Sequence, residues 1–208
     1  MMLDRTALRL CLVTDRALAG GRSITAIVEA AVRGGVTMVQ LREKTASTRV
    51  FVEEALALGE RLRPLNIPLI INDRVDVALA VNADGVHVGQ DDMPADIVRR
   101  LIGPDKTIGL SITKLADLDP GTIAAADYLG VGPVFAQMTK TDATPPLGLH
   151  GLQAIRRATM KPILAIGGIH AAQAPEVLAR GADGLAVVSA IMGAHDPEAA
   201  ARAFVRSG

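Results

Sequence analysis

Aromatic side chains are nearly missing from this chain: among 208 residues there is no tryptophan, one tyrosine and three phenylalanines. Phe51, Tyr128, Phe135 and Phe204 cannot fill a core by themselves, so the apolar half of the sequence must do it with Ala, Val, Ile and Leu. Such a core, with 20 glycines, suits parallel α/β architecture. An excess of either charge is also missing. Lys plus Arg equals Asp plus Glu, 22 against 22, so no global field favours nucleic acid or an anionic membrane, and any anion site must be local. Cys11 is the only cysteine. Within the run Leu10-Cys11-Leu12-Val13 it reads as a buried structural thiol, and a disulfide framework is excluded within one chain.

No apolar run approaches the roughly 20 residues of a membrane helix, and Asp4, Arg5 and Arg9 interrupt any signal-peptide core near the first residue. A soluble, cytoplasmic protein is expected. His87, His150, His170 and His195 share no metal-ligand spacing and have no Cys or Ser partner in a catalytic arrangement, which argues against a zinc site or a nucleophilic triad. No Pro/Ser-rich linker divides the chain, so residues 1–208 are expected to form a single domain.

Short apolar runs alternate with longer amphipathic stretches throughout. The runs predict strands at 9–14, 38–42, 69–72, 85–89, 107–111, 128–132, 163–167 and 185–189. Helical patterns cover 24–33, 49–62, 75–81, 97–102, 172–180 and 197–206. Eight strand–helix units spaced by roughly 20 to 30 residues fit a compact α/β (β/α)8 TIM barrel. A doubly wound dinucleotide-binding sheet is disfavoured, because Thr14-Asp15-Arg16 follows the first strand where its glycine fingerprint would stand.

In such barrels chemistry gathers at the C-terminal ends of the strands. There the sequence places Gln40, Arg42 and Lys44, which strand alternation puts on one face. An amide and two cations aligned in this way suit a phosphate. Asp73 and Asp92, with Asp91 beside it, stand after the third and fourth strands. They read either as Mg2+ ligands that share the ion with substrate phosphate and water, or as helix caps and an Arg74 ion pair. Gly167-Gly168 and Val188-Ser189, after strands seven and eight, are where phosphate sites of these barrels recur; the alternatives are a tight turn and a cap at Ser189. The long loop 135–148 holds Thr139 and Lys140, and reads as a lid or as a solvated connection.

Taken in order, these motifs resemble the thiamine-phosphate synthase family. They are Gln40-Leu-Arg-Glu-Lys44, Ile71-Asn-Asp-Arg74, Gly85-Val-His-Val-Gly-Gln-Asp-Asp92, Gly109-Leu-Ser111, Gly130-Val-Gly-Pro133, Thr139-Lys140, Ala165-Ile-Gly-Gly-Ile169 and Val187-Val-Ser-Ala-Ile191. The resemblance implies condensation of a hydroxymethylpyrimidine diphosphate with a thiazole phosphate, or its carboxylated precursor, giving thiamine phosphate and pyrophosphate. It implies that Gln40, Arg42, Lys44, Asn72, Ser111 and Lys140 hold the pyrimidine diphosphate, with Arg42, Lys44 and Lys140 stabilising the leaving group. Asp73 and Asp92 would bind Mg2+; Thr139, Gly168, Val188 and Ser189 would receive the thiazole phosphate. A homodimer also comes from the family, without an interface legible in the residues.

One departure is Gln137, two positions before Thr139, where the family often has Thr. A thiazole tautomerase shares the barrel, but the resemblance gives that enzyme no metal carboxylates and a His after the fifth strand, where this chain has Ser111-Ile112-Thr113. A noncatalytic thiamine-precursor binding protein is the other alternative, and Gln137 is the feature in its favour.

Overall fold

The computed structural model of the chain describes residues 5–136 and 145–207. Among them eight parallel strands close into a barrel in sequence order, with the last paired to the first. The strands are β1 (Leu10–Val13), β2 (Met38–Leu41), β3 (Leu69–Asn72), β4 (Gly85–Val88), β5 (Thr107–Ile112), β6 (Tyr128–Val131), β7 (Ile163–Ile166) and β8 (Gly184–Val187). Around them lie α1 (Arg16–Ala19), α2 (Ile24–Arg33), α3 (Thr48–Leu62), α4 (Val75–Ala80), α5 (Ala95–Ile102), α6 (Pro120–Ala124), α7 (Gly148–Ala158), α8 (Ala174–Ala179), α9 (Ser189–Met192) and α10 (Pro197–Ser207). This is the (β/α)8 barrel that the alternation predicts. None of the helices is long and apolar enough to cross a membrane.

Boundaries differ from expectation where local chemistry intervenes. Strand β2 stops at Leu41, one residue early. The helix expected over 172–180 is a 3-10 turn, Ala171–Gln173, followed by α8, with a proline in the first turn where its missing N–H costs no helical bond. Helix α7 is not apparent in the sequence, because Gly148 and Gly151 weaken its first turn.

The strand period of two divides the core. Outward residues such as Leu12, Val39, Leu41, Ile71 and Leu129 pack on helix residues such as Phe51, Leu58, Val98 and Phe204. Inward residues Cys11, Val13, Met38, Ile70, Tyr128, Leu164 and Ala186 fill the barrel itself. Helix α2 illustrates the outer layer. Ser23 Oγ caps it by accepting the Ala26 N–H at 3.3 Å, and Ile24, Ile27, Val28 and Ala31 bury one stripe. It ends at Gly34, where a Cβ would lie 2.4 Å from the Glu198 carbonyl, so α10 can approach closely only over a glycine.

The N-terminal rim repeats a clip. Before each even strand one side chain accepts an N–H from the preceding odd strand: Thr37 from Leu10 (2.9 Å), Asp84 from Leu69 (2.9 Å), Asp127 from Ile108 (2.7 Å) and Asp183 from Ile163 (2.8 Å). Each clip residue returns its own N–H to the carbonyl of that same partner, at 2.7 to 3.0 Å. Backbone groups that would otherwise go unpaired at strand starts are thereby satisfied. The clips fix register at one rim and leave the opposite rim to carry chemistry.

Candidate functional site

At the C-terminal rim, β1 and β2 are sewn together by Thr14, which is fully buried. Its N–H donates to the Gln40 carbonyl at 2.9 Å, and its Oγ1 accepts the Arg42 N–H at 3.0 Å. Because β2 ends at Leu41, Arg42 and Lys44 stand in the loop, and strand alternation does not align them with Gln40. They diverge instead. Arg42 Nη1 lies 3.4 Å from Asp15 Oδ2, toward β1, while the Lys44 ammonium pairs with the Asp73 carboxylate, toward β3. Gln40 is buried and reaches Tyr128 inside the barrel.

Between the two cations, Glu43 holds the loop. Its carboxylate accepts the N–H groups of Thr45 (2.7 Å) and Ala46 (3.0 Å), the Thr45 hydroxyl (3.1 Å) and Arg16 Nε (2.5 Å). Burial pushes its carboxyl upward, but the Thr45 and Ala46 N–H groups and Arg16 outweigh that and hold it down to about 2. A search for charged rim residues passes over Glu43, since its sequence neighbours are the cations. The signal available is a carboxylate followed two residues later by Thr, the pattern of a side chain that closes on its own backbone.

Asn72 ends β3, and Asp73 then adopts the left-handed region at φ 61°, with its N–H bonded to the His87 carbonyl at 2.8 Å. Left-handed backbone is uncommon outside glycine, although Asn and Asp tolerate it best, and here it turns the carboxylate toward Lys44. Asp73 caps no helix: α4 begins at Val75 with Arg74 in the capping position and no side-chain cap. Arg74 pairs with Asp76 at 2.6 Å and not with Asp73. The capping alternative for Asp73 therefore fails.

Asp92 comes within hydrogen-bonding reach of Asp73. Its Oδ2 also accepts the Gly89 N–H at 2.7 Å. Although Asp92 as a residue is open to solvent, packing around its carboxyl and the adjacent Asp73 hold it above the usual carboxylate range, with the Gly89 N–H and Lys44 opposing. Two touching carboxylates require a cation or a shared proton. Their donor set fits Mg2+, which takes one or two carboxylates and completes its shell with water and phosphate oxygens. No group of three or more His, Cys, Asp or Glu among the described residues could hold a metal unaided. Ligands from water and substrate would have to supply the rest.

Across the mouth, Ser111 Oγ lies 2.9 Å from His87 Nε2, and His87 Nδ1 lies 3.0 Å from Tyr128 Oη. Gln90 Nε2 donates to the Ser111 carbonyl at 2.7 Å, tying the loop after β4 to β5. Sequence alone leaves open which face of β4 carries His87; the structure turns it inward. Burial pushes its imidazole down to about 4, against the Asp92 charge, so the ring is neutral at physiological pH. His150, His170 and His195 are exposed, in line with a surface role. Cys11 is fully buried, and burial pushes its thiol up to about 12 against the Gln40 N–H, so it is inert.

At the far side of the mouth, Gly167 and Gly168 take positive φ (103° and 64°). A Cβ on Gly168 would meet the Ala136 carbonyl at 2.6 Å, so the glycine lets the start of the β6 loop pack on the end of β7. Val188, and not Ser189, is the residue before α9, and exposed Ser189 opens that helix without capping it. The structure thus brings Gln40, Arg42, Lys44, Asn72, Asp73, Asp92, Ser111, Gly168, Val188 and Ser189 to one rim. Thr139, Lys140 and Gln137 lie outside the described residues.

Comparison with known proteins matches this architecture. A family model described as thiamine monophosphate synthase covers residues 10–191. The chain is similar to thiamine-phosphate synthase of Albidiferax ferrireducens, 58% identical over 195 residues covering 94% of this chain and 89% of the relative. Its likeness to thiamine-phosphate synthase of Chloroflexus aurantiacus is also 58%, over 194 residues, 93% of this chain and 89% of the relative. A solved structure of thiamine phosphate pyrophosphorylase from Pyrococcus furiosus superposes with a TM-score of 0.88 at 40% identity, covering 98% of this chain and 96% of that one.

Proposed function

Because the chain belongs to the thiamine monophosphate synthase family, we propose that it is a transferase joining hydroxymethylpyrimidine diphosphate to thiazole phosphate, with thiamine phosphate and pyrophosphate as products. The observation that carries this reading is the contact of Lys44, Asp73 and Asp92 at the ends of β2, β3 and β4. It combines a cation with paired carboxylates where a diphosphate and its counter-ion need both. A tautomerase or a passive binder has no use for that combination.

The chain's residues then divide the work. Arg42 and Lys44 bind the diphosphate oxygens and compensate the charge that grows as the methylene–oxygen bond breaks, its electron pair leaving with pyrophosphate. Lys140 shares this charge-compensating role. Asp73 and Asp92 would hold Mg2+, which would supply positive charge to the diphosphate and so improve the leaving group. Gln40, Asn72 and Ser111 orient the pyrimidine ring, so that the exposed methylene carbon faces the thiazole. Gly168, Val188, Ser189 and Thr139 receive the thiazole phosphate on backbone N–H and hydroxyl groups. The thiazole nitrogen lone pair forms the new C–N bond, and no side chain has to act as nucleophile or base.

Incubation with both phosphorylated precursors and Mg2+ tests the reading. Equal release of pyrophosphate and thiamine phosphate is expected. Folded protein that yields neither overturns it, and tautomerisation of a thiazole carboxylate in their place would favour the tautomerase.

A further inference from the structure

Inside the barrel a line of polar side chains runs toward its mouth. Gln40 is 5% exposed, Tyr128 0% and His87 8%, and they lead to Ser111 at the rim. No buried side-chain nitrogen or oxygen among the described residues lacks a partner. The donors and acceptors along this line can therefore be counted.

The Gln40 side chain meets the Tyr128 hydroxyl in a contact that opposes the effect of burial and favours the phenolate form, which we read as donation from the Gln40 amide N–H. The hydroxyl proton of a fully buried tyrosine needs its own acceptor. His87 Nδ1, at 3.0 Å, supplies it. A neutral imidazole has one donor and one acceptor, so an accepting Nδ1 puts the proton on Nε2. Nε2–H then donates to Ser111 Oγ at 2.9 Å, and the proton of Ser111 is left to point into the mouth.

We propose that His87 is a positioning residue: the one-way chain from Gln40 through Tyr128 and His87 fixes the Nε2–H tautomer and makes Ser111 a hydrogen-bond donor toward the substrate ring. This rests on the reading that Ser111 faces the pyrimidine. It adds that the ring meets Ser111 with an acceptor, an unprotonated ring nitrogen, while any exocyclic amine points elsewhere. Two strand glycines make the chain fit. A Cβ at Gly109 would lie 2.3 Å from His87 Nδ1, and one at Gly130 would lie 2.7 Å from His87 Cε1.

The test has two arms. Nitrogen-15 NMR of ring-labelled histidine in the folded, ligand-free protein at neutral pH reads the tautomer of His87 directly, with no dependence on activity. The Nε2–H form is expected, and the Nδ1–H form overturns the proposal. In the second arm, Tyr128→Phe removes the proton that fixes the ring. The KM for the pyrimidine diphosphate should rise about 5- to 10-fold, the loss of one hydrogen bond's alignment, with the KM for thiazole phosphate unchanged. Equal rises in both KM values, or none, overturn the positioning role. Failure of wild-type protein to form thiamine phosphate would instead sink the functional reading and leave the tautomer result standing.

Discussion

The ammonium of Lys44 rests on the carboxylate of Asp73, across the exits of β2 and β3. One residue of the proposed leaving-group clamp is thereby held in place by a proposed metal ligand before any substrate arrives. Asp73→Asn should therefore damage two functions at once: it weakens the cation site and frees Lys44 from its charged partner. Turnover should fall about 10- to 100-fold, the range found when metal-site partners are removed, and the Mg2+ concentration for half-maximal rate should rise. Pyrophosphate release measured across a Mg2+ titration checks both. An unchanged Mg2+ dependence would remove Asp73 from the site.

Glu43 gives the loop a pH signature. Its folded carboxyl sits at about 2 against an ordinary value of 4.5. A depressed carboxylate contributes stability above the unfolded pKa and loses it as pH falls toward the folded one. The contribution is complete above about pH 5 and fades between about 4.5 and 2. Its size is on the order of 2–3 kcal/mol, because a carboxyl held lower by one pH unit favours the folded state by about 1.4 kcal/mol and water reaching Arg16 weakens that pairing. Glu43→Gln should lower the urea midpoint at pH 7, and the deficit should shrink toward zero near pH 2. A deficit of equal size at both pH values would mean that packing, and not the charge, is what Glu43 supplies.

The barrel is legible in the sequence because apolar runs such as Leu69–Asn72 and Ile163–Ile166 are short, regularly spaced and separated by amphipathic stretches. The rim positions follow from it, since strand ends follow from strand positions. Side-chain direction beyond the strand end does not follow. Period two predicts Arg42 and Lys44 on one face with Gln40, yet once β2 ends at Leu41 each cation turns to a different carboxylate, Asp15 or Asp73. Those pairings depend on neighbours 27 and 29 residues away. The chain through His87 is hidden for the same reason: Tyr128 and Ser111 lie on different strands, and no local spacing signals their approach.

The clip at Asp127 should matter for stability and not for catalysis. Its Oδ2 accepts the Ile108 N–H and pairs with Arg99, both at 2.7 Å, on the rim opposite the site. Asp127→Ala strands a strand N–H and a cation, at a cost of about 2 kcal/mol. For a chain of this size that lowers Tm by about 4–8 °C. Asp127→Asn keeps an acceptor and should lose less than half as much. Calorimetry gives the order of the three proteins, and kcat below the transition should be the same in all of them.

A matched pair of glycine substitutions separates backbone entropy from steric room. In α3, a Cβ at Gly59 would find only Leu69 Cδ2, at an ordinary 3.9 Å. Gly59→Ala should therefore stabilise the protein by about 0.5–1 kcal/mol, because alanine loses less freedom in a helix. In β5, a Cβ at Gly109 would lie 2.3 Å from both His87 Nδ1 and Tyr128 Cζ. Neither ring can retreat, since both are buried within a closed barrel. Gly109→Ala should cost about 1–3 kcal/mol through overpacking and disturb the hydrogen bond that aligns Ser111. Denaturation midpoints should thus move in opposite directions for the two variants, and only Gly109→Ala should raise the KM for the pyrimidine diphosphate. A shift of the same sign in both would mean that the interior around His87 has more room than its contacts imply.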